Sequence, residues 1–490
     1  MAMEKLSSST APSNLLVCSK TPKSGIVHIG MGNFHRAHLA VYTAKAVAQN
    51  GGDWGIVGYS FKSRKIVDAL KEQDLLYSVL TIDPNDESVT IPAIHTSLYA
   101  GRDECNFIID AIAHTDTKII TLTVTEAGYL LSQTSGGLDL SNKLIQVDLL
   151  ESESPQTMPG LIVRGLLKRF AAGTAPLTIL SCDNLSSNGD KTRRVIVEFS
   201  QALRSQPEGF LNYLTNSITY PNSMVDRIVP NTEEHHLLLA QSRLGMIDSS
   251  PVPAEAFTMW VLEDNFAAGR PDWASQGVIF SSEVAQYEVM KLRLLNGAHS
   301  LISYLGALSA CATIPQARFT PYIERAVTEL LHKDYLPTFS MPQGLTADFY
   351  ISQLFARWSN TVLADKTSRV GSDGSSKLPQ RVTEPAIFHL KRGQIPNMLS
   401  LTVAAYLACI APREGFDPGE YAALMSDPKG DEIRALRKDC ALDVDFVQRF
   451  FESGYLQSEL LSYPEFMHQT QNLYTSLMEK GVEATILAAI

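Results

Sequence analysis

Residues 25–38 read GIVHIGMGNFHRAH, and the expected fold follows largely from this stretch. Residues 25–29 are an apolar, β-like run, Gly30 and Gly32 form a G-x-G turn, and residues 39–49 have the composition of a helix. A glycine turn between a strand and a helix would let a dinucleotide pyrophosphate approach backbone N–H groups at the positive end of the helix. The third small residue of the full fingerprint is replaced by His35, so the turn alone fits an ordinary tight βα connection equally well.

The next predicted strand bears on the identity of the cofactor. Residues 54–60 (WGIVGYS) predict the second strand of a βαβ unit, whose carboxyl end would reach the adenosine ribose. An acidic residue there would bind the 2′-hydroxyl of NAD, but this chain offers Ser60, Lys62 and Arg64. Basic and hydroxyl groups suit the 2′-phosphate of NADP, and a solvated turn before a helix is an equally good interpretation. NAD and NADP both remain open at this point.

Strands and helices alternate through the first half of the chain. Residues 118–125 and 177–181 predict two further buried strands, which end at Glu126 and at the loop that contains Asn184. Ligands bind at the carboxyl ends of parallel strands, although Asn and Asp also serve as caps and turns. The pattern predicts a flexible arm at 1–23, a doubly wound α/β Rossmann-type domain at 24–282 and a mostly helical domain at 283–490.

The first helix of the second domain contains a candidate base. Residues 287–300 read YEVMKLRLLNGAHS and predict one continuous α-helix. At about 100° per residue, Glu288, Lys291 and His299 fall within an arc of roughly 80°, and Asn296, about 140° from Lys291, borders that face. A lysine held against apolar surface loses solvation and becomes a general base near neutral pH. Asn donates a hydrogen bond to a developing alkoxide and His orients a hydroxyl; an amphipathic helix with a solvated lysine is the alternative.

Composition excludes several classes of function. The 490 residues contain 41 Lys and Arg against 52 Asp and Glu, a net charge of −11, which argues against a nucleic-acid binder. Six scattered cysteines without a CxxC pair favour a reduced, cytoplasmic protein, and no His/Cys spacing indicates a metal. The longest apolar run, residues 401–411, is too short to span a membrane. A monomer or small homo-oligomer is expected.

Several blocks of the chain resemble one known family. Residues 30–38 are similar to the G-x-G-x-F-H-R-A-H start of the polyol-specific long-chain dehydrogenases, which include mannitol 2-dehydrogenase and fructuronate reductase (mannonate oxidoreductase). Residues 291–299 look like the catalytic helix of that family, K-x-x-x-L-N-G-x-H. Blocks at 181–184, 224–228, 260–264 and 372–377 follow in family order, so the resemblance runs from about residue 24 to the C-terminal helices.

The resemblance implies metal-independent hydride transfer between NAD(P) and a sugar alcohol or aldonate and its keto sugar. D-mannitol/D-fructose and D-mannonate/D-fructuronate are the leading pairs. It implies that Lys291 takes the alcohol proton, that Asn184 and Asn296 donate to the alkoxide, and that His299 holds a substrate hydroxyl. It places Arg369 near the substrate, and our hypothesis for Glu288 is that it relays protons or tunes Lys291. The expected cofactor-site residues are Gly30, Gly32, Asn33, Phe34, Ser60, Lys62 and Glu126.

The choice of substrate depends on an extra cation. A carboxylate substrate would need one, and Arg369, Lys377 and Arg36 are the candidates; Arg369 and Lys377 belong to a predicted polar loop at residues 365–379. A nucleotide-binding sensor without redox chemistry is the alternative of another class. The presence of Lys291, Asn296 and His299 together argues against it, because a pure binder has no need of that set. Dehydrogenases of the 2-hydroxyacid or 6-phosphogluconate type share the architecture but not these blocks.

Overall fold

The chain divides into two compact units, Met1–Ala285 and Gln286–Ile490. The computed structural model describes residues 3–132, 134–150, 154–173 and 175–490. Every strand among these residues belongs to the first unit, and the second unit is helical. The predicted fold class, a Rossmann-like α/β domain followed by a mostly α-helical domain, is therefore confirmed.

The first unit alternates strands with helices, as the sequence predicts. Its strands are β1 (Ser24–Ile29), β2 (Gly55–Ser60), β3 (Val79–Thr81), β4 (Val89–Thr90), β5 (His95–Ala100), β6 (Ile119–Leu122), β7 (Leu177–Ser181), β8 (Ile218–Thr219), β9 (Ser223–Asp226), β10 (Val252–Ala254), β11 (Met259–Leu262) and β12 (Ile279–Phe280). Its helices are α1 (Asn33–Ala37), α2 (Leu39–Asn50), α3 (Arg64–Lys71), α4 (Cys105–Ala113), α5 (Lys143–Leu149), α6 (Met158–Ala172), α7 (Asn188–Ala202), α8 (Phe210–Asn216) and α9 (Glu234–Leu244).

Six strands form one parallel sheet in the order β5-β2-β1-β6-β7-β8. The strand order reverses between β1 and β6, and the crevice outside the carboxyl ends at such a point is the usual ligand site of an open α/β sheet. β1, β2, β6 and β7 are almost entirely buried, which explains their runs of Ile, Val and Leu. The other six strands form two small three-stranded sheets, β10-β3-β4 and β12-β11-β9, outside the main sheet.

The segment before β1 is packed, which corrects the expected flexible arm. Leu6 and Cys18 are buried, Lys5 and Leu16 form isolated β-bridges with Ile247 and Ile91, and Lys5 also pairs with Glu72 at 2.9 Å. A Ser/Thr-rich composition suggested a solvated chain, but two buried apolar side chains and backbone bridges offset the entropy of ordering it.

A cluster of buried histidines supports the turn after β1. The rings of His28 and His35 stack at 3.4 Å, and the Nε2 atoms of His35 and His95 lie 3.0 Å apart. All three side chains are buried, and Arg36 and Tyr77 lie against them. Burial lowers the pKa of His28 and of His95 to about 3. For His35, burial is again the main cause, and the nearby histidines and the positive charge of Arg36 also lower its pKa, well below the ordinary value. The cluster is therefore neutral at pH 7.

The second unit is an assembly of helices around one fully buried helix. Its elements are α10 (Val284–Met290, which begins two residues before the unit), a π-helix (Lys291–Gly297), α11 (Ala298–Leu308), α12 (Ile314–Arg318), α13 (Pro321–Glu329), a second π-helix (Leu330–Tyr335), α14 (Ala347–Trp358), α15 (Thr367–Gly371), α16 (Gly374–Leu390), α17 (Asn397–Ile410), α18 (Glu420–Ala423), α19 (Gly430–Lys438), α20 (Asp443–Glu452) and α21 (Pro464–Ala489).

Helix α17 accounts for the longest apolar run of the sequence. Every residue from Met398 to Ile410 is buried, and α11, α16 and α21 pack around it. A helix that is apolar on all sides is either a core helix or a membrane span. Across the described residues, none of the helices combines the length and the apolarity needed to cross a bilayer.

The polar segment at 365–379 is mostly helical, which corrects the predicted loop. Residues Thr367–Gly371 form α15, and α16 begins at Gly374 and contains Pro379 and Pro385. Asp373, at φ 60°, is the N-cap between the two helices. Ser, Gly and Asp indicate a loop when they are considered in isolation. Here they occupy cap positions and first turns of two helices that are joined by a short connection.

The histidine cluster predicts a specific loss of stability in acid. A histidine whose folded-state pKa is depressed stays neutral in the folded chain while the unfolded chain binds protons below about pH 6.5. Stability is therefore present above pH 6.5 and falls as the pH decreases toward 3, by about 1.4 kcal/mol per pH unit for each such histidine. We expect His95→Gln, which keeps a hydrogen-bonding partner for His35, to weaken this dependence between pH 7 and 5.

The measurement is urea unfolding followed by tryptophan fluorescence at pH 7 and at pH 5, for the wild-type chain and for His95→Gln. The difference between the two pH values should shrink by about 2 kcal/mol in the variant. An unchanged difference would show that His95 titrates normally in the folded chain.

Candidate active site

The turn after β1 is held by hydrogen bonds and leaves open space beside its second glycine. The Gly30 carbonyl accepts hydrogen bonds from Gly32 N (2.8 Å), His28 Nε2 (2.8 Å) and Thr123 Oγ1 (2.7 Å). Gly30 has φ 115°, and a Cβ there would overlap the Thr123 carbonyl. By contrast, no atom lies within 4 Å of the position that a Cβ on Gly32 would take. The first glycine makes the turn and the second leaves open space over it, which fits the approach of a dinucleotide pyrophosphate.

Two predicted cofactor residues follow in α1, with different environments. Phe34 is half-buried and stacks on His38 at 4.8 Å. The side chain of Asn33 is occupied inside the protein: its Nδ2 donates to Pro230 O (3.0 Å) and its Oδ1 accepts from Arg36 (2.7 Å). Asn33 can therefore offer a cofactor its backbone more readily than its amide, because the amide holds the chain around residue 230.

The end of β2 presents fewer available cations than its sequence suggested. The Ser60 hydroxyl accepts a hydrogen bond from Ser63 N (2.9 Å) and is buried. Arg64 donates to Ala100 O (2.7 Å) and pairs with Asp103 at 2.5 Å, so its charge is largely compensated. The side chain of Lys62 is exposed. Of the predicted basic group, Lys62 is the best placed to meet a 2′-phosphate.

The loops after β6 and β7 are tied together by a carboxylate. Asp183 accepts hydrogen bonds from Thr125 N (2.7 Å), Val124 N (3.2 Å) and Tyr129 Oη (2.8 Å), and its side chain is buried. Burial raises the pKa of Asp183. The predicted residues Glu126 and Asn184 directly follow these anchored positions and are exposed. Asp183 thus fixes the backbone from which both side chains project, a role that sequence reasoning missed.

The helix with the candidate base is not a uniform α-helix, which corrects the prediction. Between α10 and α11, residues Lys291–Gly297 form a π-helix. Its hydrogen bonds join residues five apart, so Asn296 lies about one turn beyond Lys291 and on the same face. In the predicted α-helix Asn296 would lie only at the border of that face. Short π-helical segments inside α-helices are rare and are frequent at functional sites.

The face of the π-helix that carries Lys291 and Asn296 is partly exposed to solvent and partly apolar. Lys291 is only 9% exposed, and Met290, Leu294 and Leu295 around it are buried. Asn296 is half-buried. A buried lysine and a half-buried asparagine on one helical face are compatible with the predicted roles of general base and oxyanion donor.

The other predicted residues of this helix lie to either side. Glu288, in α10, is half-buried one turn before Lys291. His299, in α11, is half-buried three residues after Asn296, and its ring lies 5.7 Å from the buried ring of Trp358. Glu288 and His299 therefore flank the pair of Lys291 and Asn296 along one helical segment.

The candidate cations for a carboxylate substrate are already paired. Arg369, in α15, forms a bidentate ion pair with Asp365. Lys377, in α16, donates to the carbonyl oxygens of Ser372 (2.6 Å) and Val370 (3.3 Å). Arg36 is buried in the first unit and donates to Ser250 O (2.7 Å), which excludes it as a substrate ligand.

Lys377 lies in a cluster of positive charge within the second unit. Burial and then the positive charge of Arg381 lower the pKa of Lys377 to about 8. Repulsion from Arg369 lowers this pKa further, whereas the negative charges of Asp373 and Asp427 raise it.

Within the described residues, no group of three or more His, Cys, Asp or Glu side chains could hold a metal ion.

The π-helix predicts an unusual response to Gly297→Ala. Alanine normally stabilises a helix interior by about 1 kcal/mol relative to glycine. Here its Cβ would overlap the buried hydroxyl of Tyr335, so we expect a loss of about 1–3 kcal/mol in the free energy of unfolding, together with lower turnover.

Thermal and urea unfolding of Gly297→Ala, Tyr335→Phe and the double variant would measure this effect. Removing the Tyr335 hydroxyl should recover part of the loss in the double variant, because the overlap is then reduced. A stabilising Gly297→Ala would contradict the close approach.

Two family models together match nearly the whole chain. The model described as the mannitol dehydrogenase Rossmann domain matches residues 24–275, and the model of the mannitol dehydrogenase C-terminal domain matches residues 283–478. The D-mannonate oxidoreductase of Escherichia coli (strain K12) is 35% identical over 95% of this chain and 96% of its own length. A mannitol 2-dehydrogenase of Phaeosphaeria nodorum is 33% identical over 95% of this chain and 81% of its own.

A solved structure agrees with these matches. The ternary complex of Pseudomonas fluorescens mannitol 2-dehydrogenase with NAD and D-mannitol superposes with a TM-score of 0.86 and 31% identity, and covers 99% of both chains. Family models, relatives and structure all point to the same assignment. This chain belongs to the mannitol dehydrogenase family and is a dehydrogenase that acts on CH–OH groups.

Proposed function

We propose that this protein interconverts a neutral sugar alcohol of the D-mannitol type and its 2-keto sugar, using a nicotinamide dinucleotide and Lys291 as general base. The observation that supports this most directly is the π-helix that aligns Lys291 with Asn296. Aldonate/uronate chemistry, as in the D-mannonate oxidoreductase that is 35% identical, is the closest alternative.

The side chains of the segment have distinct roles in this proposal. Neutral Lys291 Nζ takes the proton of the substrate hydroxyl, and the electron pair of the O–H bond forms the second bond of the C=O group. The hydrogen on the carbinol carbon leaves as hydride, with the electron pair of the C–H bond. When bound, the nicotinamide ring supplies the hydride acceptor. The amide of Asn296 donates to the developing alkoxide, and His299 orients a second hydroxyl. Glu288, one turn from Lys291, passes the proton toward solvent.

Lys291 is a better candidate base than Lys377, although the pKa of Lys377 is lowered to about 8. The Lys377 ammonium donates to two carbonyl oxygens, Val370 O and Ser372 O, and lies 3.8 Å from a carboxylate oxygen of Asp373. These contacts hold Lys377 protonated as a donor. Lys291 instead lies on the face of the π-helix that also carries Asn296, the amide donor of the proposed reaction.

A neutral substrate is favoured because the candidate cations already interact with groups of the protein. The Arg369 guanidinium is matched by the Asp365 carboxylate, and the donors of Lys377 are taken by carbonyl groups. Binding a carboxylate there would require breaking these interactions first, and that cost lowers the affinity for an acidic substrate. A polyol, which offers only hydroxyl groups, avoids the cost.

The cofactor choice follows from the end of β2. Residues 60–65 (SFKSRK) contain no carboxylate for the ribose 2′-hydroxyl of NAD, and Lys62 is exposed there. We therefore propose that NADPH is accepted at least as well as NADH. A relative that is 32% identical is named polyol:NADP oxidoreductase, from Gluconobacter oxydans.

The direct test follows absorbance at the nicotinamide band with NADH or NADPH and D-fructose, then with D-fructuronate. Oxidation with fructose, and a smaller rate with fructuronate, is the expected result. Preference for fructuronate would favour the aldonate reaction, and cofactor binding without turnover on either would favour a sensor.

Replacing the base should abolish the reaction without affecting the first unit. We expect Lys291→Met, which keeps the aliphatic stem, to lower kcat by about 10²- to 10⁴-fold, because the alcohol proton then has no acceptor. The dissociation constant for NADH or NADPH, measured by fluorescence titration, should stay within about twofold, the scatter of near-neutral substitutions. Lys333→Ala, which removes an exposed lysine paired with Glu329, is the matched control. Near-normal turnover in Lys291→Met would refute the assignment.

Releasing Arg369 should move the substrate preference toward carboxylates. In Asp365→Asn the guanidinium loses its counter-charge and becomes available to an anionic substrate. We expect the ratio of kcat/KM for fructuronate to kcat/KM for fructose to rise about tenfold, equivalent to about 1.4 kcal/mol of differential binding.

Asp431→Asn is the control for this change, since it opens an exposed ion pair with Arg434 in α19. An unchanged ratio in Asp365→Asn would show that Arg369 does not face the substrate.

A further inference from the structure

Arg381 of α16 reaches the backbone of the π-helix. Its Nη1 donates to the carbonyl oxygen of Asn296 and to Ser300 Oγ, both at 2.8 Å. Asn296 is the last residue but one of the π-helix and Ser300 is in the first turn of α11. One guanidinium nitrogen therefore bridges the point at which the helix returns from the π to the α pattern.

An external donor can strengthen the hydrogen bonding at that point. In a π-helix the carbonyl of residue i accepts from residue i+5, and in an α-helix from residue i+4, so carbonyls at the change of pattern have poorer partners within the helix. A buried carbonyl without a partner is costly. The bond from Arg381 to Asn296 O supplies a charge-assisted donor at this junction.

The same junction is braced from a second side. Tyr335, at the end of the other π-helix, donates from its hydroxyl to Arg381 O (3.1 Å) and approaches Gly297 so closely that a Cβ would overlap it. Arg381, Tyr335 and the junction thus form one closed set of contacts. A return to regular α-helix would move Asn296 away from the Arg381 guanidinium and disturb the contact of Gly297.

Arg381 has no carboxylate partner among the described residues, and its guanidinium is held by the carbonyl and hydroxyl above. The phenol groups of Tyr304 and Tyr335 are its nearest ionisable neighbours apart from Lys377. Burying a cation without an anion costs free energy, so an apolar residue would stabilise this helix better if only packing mattered.

We propose that Arg381 is a positioning residue that holds Lys291–Gly297 in the π-helical pattern and so keeps Asn296 in register with Lys291. This inference rests on the proposed function for its kinetic consequence, but its structural part stands apart from it. Arg381 touches the backbone of Asn296 and not its amide, so it acts on the reaction only through the position of that residue.

The structural test is hydrogen exchange of the backbone amides of residues 291–301 in Arg381→Gln. We expect exchange in this segment to rise at least tenfold, equivalent to about 1.4 kcal/mol of lost protection. Arg437→Gln is the control, because Arg437 of α19 also donates to a backbone carbonyl, Cys440 O at 3.0 Å, although it is paired with Asp443 as well. Its effect on residues 291–301 should be absent.

The kinetic test uses the same two variants with the polyol pair that the wild-type chain turns over. Arg381→Gln should lower kcat about 10- to 100-fold with little change in the affinity for NADH or NADPH, since a misplaced oxyanion donor costs turnover and not cofactor binding. Arg381→Lys, which keeps one donor, should recover part of kcat, and guanidinium added to Arg381→Ala should raise its rate.

Ser300→Ala provides a second variant, should Arg381→Gln fold poorly, and is expected to give a smaller loss of the same kind because it removes one of the two acceptors. Unchanged exchange at 291–301 in folded Arg381→Gln, Arg381→Lys and Ser300→Ala would overturn the proposal, as would a kcat loss no larger than that of Arg437→Gln. Failure of the wild-type chain to turn over any polyol would refute the proposed function alone, because the exchange experiment still decides the role of Arg381.

Discussion

The active segment depends on one change of hydrogen-bonding pattern in a helix. Residues Lys291–Gly297 pair five apart, and this brings a buried lysine and a half-buried asparagine onto one face. A π-helix is less favourable than an α-helix in isolation, so surrounding contacts must hold it. Tyr335 against Gly297 and Arg381 on the Asn296 carbonyl are contacts of that kind. The less favourable helical pattern thus occurs at the residues that we propose carry the reaction, where it gives an alignment that a regular α-helix does not.

The first unit uses the same strategy with different residues. The turn after β1 is fixed by His28 and Thr123, which both donate to the Gly30 carbonyl. The loop after β6 is fixed by Asp183, which accepts from two of its backbone amides, and Thr125 there has φ 66°. In each case a buried polar group satisfies backbone atoms at the carboxyl end of a strand. Exposed residues such as Glu126 and Asn184 then project from a rigid backbone.

Charge in the second unit is balanced locally. Arg369 is matched by Asp365, and Arg381 and Lys377 are held mainly by carbonyl groups. The net charge of −11 gives no hint of this arrangement, because it sums over groups that never meet. Selectivity between a polyol and an acidic sugar is a difference between two binding free energies. Breaking the internal interactions of these cations lowers the affinity for the acidic sugar but not the affinity for the polyol.

The sequence by itself determined the fold class and the family, because apolar periodicity, the glycine turn and the K-x-x-x-L-N-G-x-H block are local patterns. Its longest apolar run, residues 401–411, falls almost wholly in the buried helix α17. The sequence could not foresee the π-helix, since α and π patterns use the same helix-forming residues and the contacts of Tyr335 and Arg381 with this segment are tertiary. Nor could it show that Arg64 and Arg36 are already engaged, because their partners Asp103 and Ser250 lie 39 and 214 residues away in the chain and are brought to them by folding. Local patterning therefore fixed which elements form, and long-range packing decided which of their polar groups remain available for chemistry.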